Sequence, residues 1–211
     1  MNRLVVIFCC TALVGGLFWL FPLFHIQRLE NSSSAETTQT TNNREFAASF
    51  WEEKVIPALE GALEGEELFA ALRDNPQVAS KQFGHKVGVS RTTLFMVRGK
   101  GKVVAIDKSG VAIALDQGSE KPGIVLHRGL VFGNAVRDST GLLTTSDFHD
   151  SRQFNEVSTE LNRIVETQVI ARLKENASIG KRLRFVGCVE IPDQGELASP
   201  LSIIPMQVEF E

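Results

Sequence analysis

The sequence predicts an α+β protein: an N-terminal transmembrane helix, a short helical segment, and an OB-like five-stranded barrel built as three strands, a helix and two strands. Three observations carry this. Leu4 to Phe24 is a run of 21 residues without a charge. After Arg44 apolar residues recur every four positions, the spacing of a helix face. From Thr93 the texture changes to short β-rich runs broken by glycine-containing turns, with one long amphipathic helix between the third and fourth runs. The 211 residues carry 22% charged side chains and a net charge of −3, which suits one folded domain plus an anchor. That balance excludes a disordered chain and lacks the basic footprint of a nucleic-acid binder.

The apolar run defines a membrane anchor over residues 1–30. A helix of its length spans about 30 Å, the thickness of a bilayer's hydrocarbon core. Arg3 precedes it, and Trp19, Phe21 and Phe24 lie towards its far end, where aromatic side chains favour the interface. A cleaved signal peptide has a shorter apolar core, and Ser33-Ser34-Ala35 is a distant cleavage site. A buried soluble helix is the third alternative. Cys9 and Cys10 come too early, after bulky Ile7 and Phe8, to be the lipid-bearing cysteine of a lipoprotein. An uncleaved single-pass anchor in the inner membrane, with the soluble part in the periplasm, fits best. Residues 31–43 are Asn, Ser, Thr and Gln with one Glu and one Ala, and predict a linker.

Residues 44–92 form the helical segment, packed on the barrel. Ala47, Trp51, Val55 and Leu59 mark its buried stripe, and Asn43 is placed to cap it. Pro57 predicts a kink, Gly61 and Gly65 a break, and Asn75-Pro76 a new helix start. The barrel occupies 93–211. Its first strand runs from Thr93 to Ile106, with a bulge or bend at Gly99-Lys100-Gly101-Lys102. The second alternates Val111, Ile113 and Leu115 with Ala112 and Ala114. The third takes in Ile124–Leu126 and Leu130–Phe132, broken at Gly129. A loop from Arg137 to about Asp150 leads into the long helix, whose face is Phe154, Val157, Leu161, Val165, Val169 and Leu173. The last strands are Arg182 to Ile191 and Leu201 to Phe210.

Phe83-Gly84-His85-Lys86, Val97-Arg98-Gly99-Lys100-Gly101-Lys102-Val103-Val104, Ala135-Val136-Arg137-Asp138, Asp147-Phe148, Val157-Ser158-Thr159-Glu160-Leu161-Asn162 and Gly180-Lys181 with Phe185 form a pattern. It resembles the bacterial family of predicted periplasmic lipoproteins grouped as domain of unknown function 2291. The resemblance implies an envelope location, an OB-like barrel and frequent genetic association with sugar ABC transporters, hence a transporter subunit or sugar-binding protein as partner. It implies no enzyme activity. The chain departs from the family where the lipid-bearing cysteine would stand, with Trp19-Leu20-Phe21-Pro22-Leu23-Phe24 near its place. Tethering by an apolar helix would replace tethering by lipid.

No chemistry-bearing motif stands out. The histidines form no H-x-x-x-H or H-E-x-x-H pattern, so no metal and no cofactor is expected. Ser146, Asp147 and His149 are too close in sequence for a triad, and Cys188 sits alone in a strand as a small hydrophobe. Lys81 to Lys108 holds seven Lys or Arg and one Asp. Its outward lysines, Lys100 and Lys102, together with His85, are candidate contacts for an anion. Arg137, Asp138 and Asp147 are candidates for a rim on the long loop that would hold a carboxylate or a hydroxylated ligand. The expected function is a membrane-anchored, non-catalytic accessory of solute transport; the alternative is a barrel that binds a carbohydrate or anion directly.

Overall fold

The computed structural model describes residues 42–116, 123–193 and 197–211. The anchor expected over Leu4–Phe24 lies outside them, as does the linker up to residue 41. Among the described residues no helix is long and apolar enough to cross a membrane.

Helix α1 is described from residue 42 and widens into a π-helical turn at Trp51–Val55. It resumes as Ile56–Ala58 and ends in the 3-10 turn Leu59–Gly61. The wide turn stands just ahead of Pro57, which has no N–H to donate to the preceding turn, and it absorbs the kink that the proline predicts. Ala47, Trp51, Val55 and Leu59 are all buried, as their spacing requires. Asn43 is not the cap. The helix has already begun, and the buried Asn43 side chain donates to Glu156 Oε2 at 2.6 Å and accepts from Gln153 Nε2 at 3.4 Å.

Strand β1 is the pair Leu63–Glu64, followed by α2 over Gly65–Asp74 and α3 over Pro76–Phe83. Asn75 caps α3, its Oδ1 accepting from the Val78 N–H at 3.1 Å. The barrel consists of β2 (Thr92–Ile106), β3 (Gly110–Leu115), β4 (Ile124–His127), β5 (Arg182–Pro192) and β6 (Leu201–Phe210). Around it the order is β2-β3-β4-β6-β5, and β5 pairs back onto β2 from Thr92↔Pro192 to Lys102↔Arg182. The β4–β6 pairing is parallel and its neighbours are antiparallel. Closure removes sheet edges. The sheet has six strands rather than five, because β1 runs parallel to β2 at Val97 and Arg98 and covers the stretch of β2 edge that precedes its pairing with β3 at Gly101.

Two details differ from the expected strands. The register shift in β2 lies between Val103 and Ala105, not at Gly99–Gly101. Glycine at 101 answers a close approach instead: a Cβ there would sit 2.2 Å from the Ala114 carbonyl oxygen. Strand β4 ends at His127, and Leu130–Phe132 leaves the barrel with Leu130 and Phe132 exposed.

The segment that was expected to be loop carries a short helix, α4 (Ala135–Asp138), and a 3-10 turn at Thr145–Asp147. Helix α5 begins at Ser151 behind the cap Asp150. It runs through a wide turn at Val165–Ile170 to Asn176. All six residues of its predicted face are buried, and they join Trp51 of α1 and the barrel interior in one core. Gly180 follows with φ +91°, a left-handed conformation suited to glycine where the chain turns into β5.

Candidate functional site

The expected rim at Arg137, Asp138 and Asp147 is not a ligand surface. Arg137 is 2% exposed and Asp138 6%. The Arg137 Nε donates to Asp138 Oδ1 at 2.6 Å, and a second guanidinium nitrogen donates to the Phe154 carbonyl at 2.9 Å. The guanidinium carbon stands 3.3 Å from the centre of the Phe154 ring. Every contact is internal because α4 lays this Arg-Asp pair against the first turn of α5, where the buried cation finds its counter-charge and hydrogen bonds and gains from the ring beneath it. Asp147 closes a capping box: its Oδ2 accepts from the Thr144 N–H at 2.7 Å and from the Thr144 hydroxyl at 2.9 Å. Ser146 shares a hydrogen bond with that same hydroxyl at 2.7 Å.

His85 is a packing residue. Its backbone bridges Leu94 on β2 through two hydrogen bonds of 2.7 and 2.9 Å. Its ring lies against Gly141, which has φ +65° and where a Cβ would approach Nδ1 to 2.6 Å. The chain from Leu94 to Lys100 is about 20 Å of strand, so His85 and the two lysines do not share a site. Cys188 is 1% exposed, and burial pushes its thiol up to about 12. Among the described residues no cluster of His, Cys, Asp and Glu is placed to hold a metal ion.

Lys100 and Lys102 do point outward, and they belong to a charged outer face of β2, β5 and β6. In register, Lys100 stands opposite Arg184 and Lys102 opposite Arg182, while Arg184 faces Glu209 across the next strand pair. Most of this charge is paired. Arg98 bonds Glu64 at 2.9 Å and the Glu60 carbonyl at 3.1 Å. Arg182 bonds Asp116 and Glu211, and Arg184 bonds Glu211 at 3.2 Å. Hydrogen bonds from Arg184 and then Arg182 hold the Glu211 carboxyl below its usual range, and Glu211 with Asp116 holds the Arg182 guanidinium above its own. Among the described residues Lys100 and Lys102 have no carboxylate partner.

A groove of about 260 Å³ opens in this face. Arg98, Lys100 and Arg184 line it with Glu64, Gln207 and Glu209, and its floor is Gly99, Val186 and Phe185. A second hollow of about 380 Å³ shares Glu64, Gly99 and Lys100 with it and continues to Glu66, Glu67 and Asp116. Glycine at 99 keeps the floor low, since a Cβ there would meet the Phe185 ring at 3.0 Å. The face across β3 and β4, which OB barrels use for oligonucleotides and oligosaccharides, presents Ala112, Ala114, Val125 and His127, and the His127 ring is engaged through Nε2 with the Leu130 carbonyl at 2.9 Å. Glu64, Arg184, Gln207 and Glu209 were missed as site residues. The alternation of Arg182 and Arg184 with buried Leu183 and Phe185 marks an outward face, but nothing local says what it lies beside.

The comparisons agree with this architecture. The family model of predicted periplasmic lipoproteins, domain of unknown function 2291, matches residues 14–209. The chain belongs to that family. The match starts inside the apolar run and takes in the barrel strands up to the penultimate residue of β6. Membership places the protein among periplasmic, membrane-anchored proteins of unknown function. A crystal structure of an OB-fold protein from Thermotoga maritima is similar at 27% identity and a TM-score of 0.71, over 80% of this chain and 98% of that one. No curated protein matches the chain.

Proposed function

We propose that this family member is a membrane-anchored accessory of a solute uptake system that acts by binding rather than catalysis, with the groove of β2, β5 and β6 as its ligand contact. Leu4–Phe24 serves as a single-pass anchor in the inner membrane and holds the barrel in the periplasm. The link to uptake rests on the association with sugar transporters that the family resemblance implies.

The composition of the groove carries the binding reading. Arg98, Lys100 and Arg184 are placed to meet a carboxylate, with Lys100 the cation left without a counter-charge among the described residues. Glu64, Gln207 and Glu209 can exchange hydrogen bonds with hydroxyl groups, and the floor of Gly99, Val186 and Phe185 suits the C–H face of a sugar ring. A hydroxylated acid such as a uronate satisfies all three requirements.

The test is thermal unfolding of the full-length protein in nanodiscs with glucuronate, glucose or inorganic phosphate, alongside crosslinking in cells. Glucuronate near 100 times its dissociation constant is expected to stabilise by about 2.7 kcal/mol, with the shift lost in Lys100→Ala. A transport subunit is expected among the crosslinked proteins. A shift with no such subunit would replace the accessory role with that of a stand-alone binding module. No shift and no subunit would overturn both.

A further inference from the structure

The loop between β4 and α4 presents two large apolar side chains on a backbone that is itself tied down. Leu130 is 64% exposed and Phe132 79%, while Val131 between them is buried. The Val131 N–H donates to the Glu166 carboxylate of α5 at 2.6 Å, and the Asn162 amide donates to the Gly133 carbonyl at 2.9 Å. His127 Nε2 lies 2.9 Å from the Leu130 carbonyl. The loop is therefore held in a shape that turns Leu130 and Phe132 away from the core. The β2–β3 turn stands beside it, where an Arg128 guanidinium nitrogen donates to the Asp107 carbonyl at 3.1 Å and Lys108 is exposed. Two acids lie close by, and both are engaged with backbone. Asp107 accepts from the N–H groups of Ser109 and Gly110, and Glu166 lies beneath the loop on Val131.

We infer that this tip, made of Lys108, Arg128, Leu130 and Phe132, docks on the surface of an anionic lipid bilayer, the one in which the chain is anchored. Three features select a bilayer. First, a loop entering the boundary between headgroups and acyl chains loses water, and unpaired backbone groups are costly there. In this tip Leu130, Val131 and Gly133 already have internal partners. Second, apolar side chains flanked by cations are the signature of interfacial binding to anionic lipid. Third, the geometry allows contact in cis. Asn43, near the first described residue of α1, contacts Glu156 of α5, and Asn162 and Glu166, which hold the tip, lie about 9–15 Å farther along α5. Seventeen residues, 25–41, separate the apolar run from the first described residue, and that length of chain reaches at most about 60 Å. The inference rests on family membership and the tip, and is independent of the groove.

The experiment uses the full-length chain in vesicles, with Phe132→Trp as the reporter and the wild-type emission from Trp19 and Trp51 subtracted. The vesicles are phosphatidylcholine alone or an equal mixture with phosphatidylglycerol, each with brominated acyl chains as quencher. The signal from position 132 is expected to shift to the blue and fall about threefold in the anionic vesicles, and to stay unquenched in phosphatidylcholine. Adding Lys108→Glu or Leu130→Ser to the reporter variant is expected to restore the unquenched signal without changing the unfolding temperature. Quenching that is absent from both lipids, or equal in both, would overturn the inference. So would burial of position 132 that requires added membrane proteins, which would assign the tip to a protein partner.

Discussion

The Arg137 guanidinium carbon stands over the Phe154 ring, 3.3 Å from its centre, while its Nε bonds Asp138 at 2.6 Å, and all three side chains are buried. The first consequence concerns stability. Removing one partner of a buried ion pair leaves the other uncompensated, at a cost of about 3–5 kcal/mol. Arg137→Ala is expected to lower the unfolding temperature by roughly 10 °C. Arg137→Lys is expected to recover little of it, since an ammonium cannot both stack and fork. A lysine variant with wild-type stability in thermal unfolding would show that the stacking contributes nothing.

A second prediction separates two polar groups on α5. Ser158 Oγ and Asn162 Oδ1 are buried without a hydrogen-bond partner among the described residues. Ser158→Ala removes a hydroxyl that is desolvated for no return, so it is expected to be neutral or to stabilise by about 1 kcal/mol. Asn162→Ala also loses the bond to the Gly133 carbonyl and is expected to destabilise by about 1–2 kcal/mol. Urea titration of both variants gives the comparison, and equal effects would refute it.

Gly101 supplies a third. A methyl group there would meet the backbone carbonyl of Ala114 at 2.2 Å, which no side-chain rotation relieves. Gly101→Ala is expected to cost about 2–3 kcal/mol through displacement of β3. A urea midpoint unchanged from wild type would mean that the two strands separate more easily than their register implies.

The fourth concerns pH. A hydrogen bond from Lys86, and a second from Thr93, hold the Asp193 carboxyl below its ordinary value of 3.8. A lowered folded-state value means that the stabilisation is present above the unfolded value and is lost as pH falls through the folded one. The stability gap between wild type and Lys86→Met is therefore expected at neutral pH, shrinking as the solution is acidified below about pH 4. Because the pair is exposed, the gap should also shrink with added salt. A gap that widened on acidification would assign it to another group.

Much of the architecture was legible along the chain. The spacing of Phe154, Val157, Leu161, Val165, Val169 and Leu173 identified α5, and the alternation of Val111, Ile113 and Leu115 identified β3. These patterns are local: each records which side of one element faces the core. The end of β4 was not legible, because Leu130-Val131-Phe132 looks like strand by composition. Its departure is decided by Glu166 and Asn162, which hold the loop from more than 25 residues away. The wide turns at Trp51–Val55 and Val165–Ile170 keep on one stripe residues spaced strictly by four, which would drift round a regular helix of 3.6 residues per turn.

By itself, then, the sequence determined the order of the elements, their buried faces, the outward direction of Lys100 and Lys102, and an apolar run long enough to anchor the chain. Tertiary structure decided which polar residues meet. It buried Arg137 and Asp138 against Phe154, turned His85 into a support for Gly141, and brought Glu64, Arg184 and Glu209 around Lys100. The reason is that hydrophobic periodicity is written within each element, whereas the partner of a charge is set by which strands close the barrel and in what register.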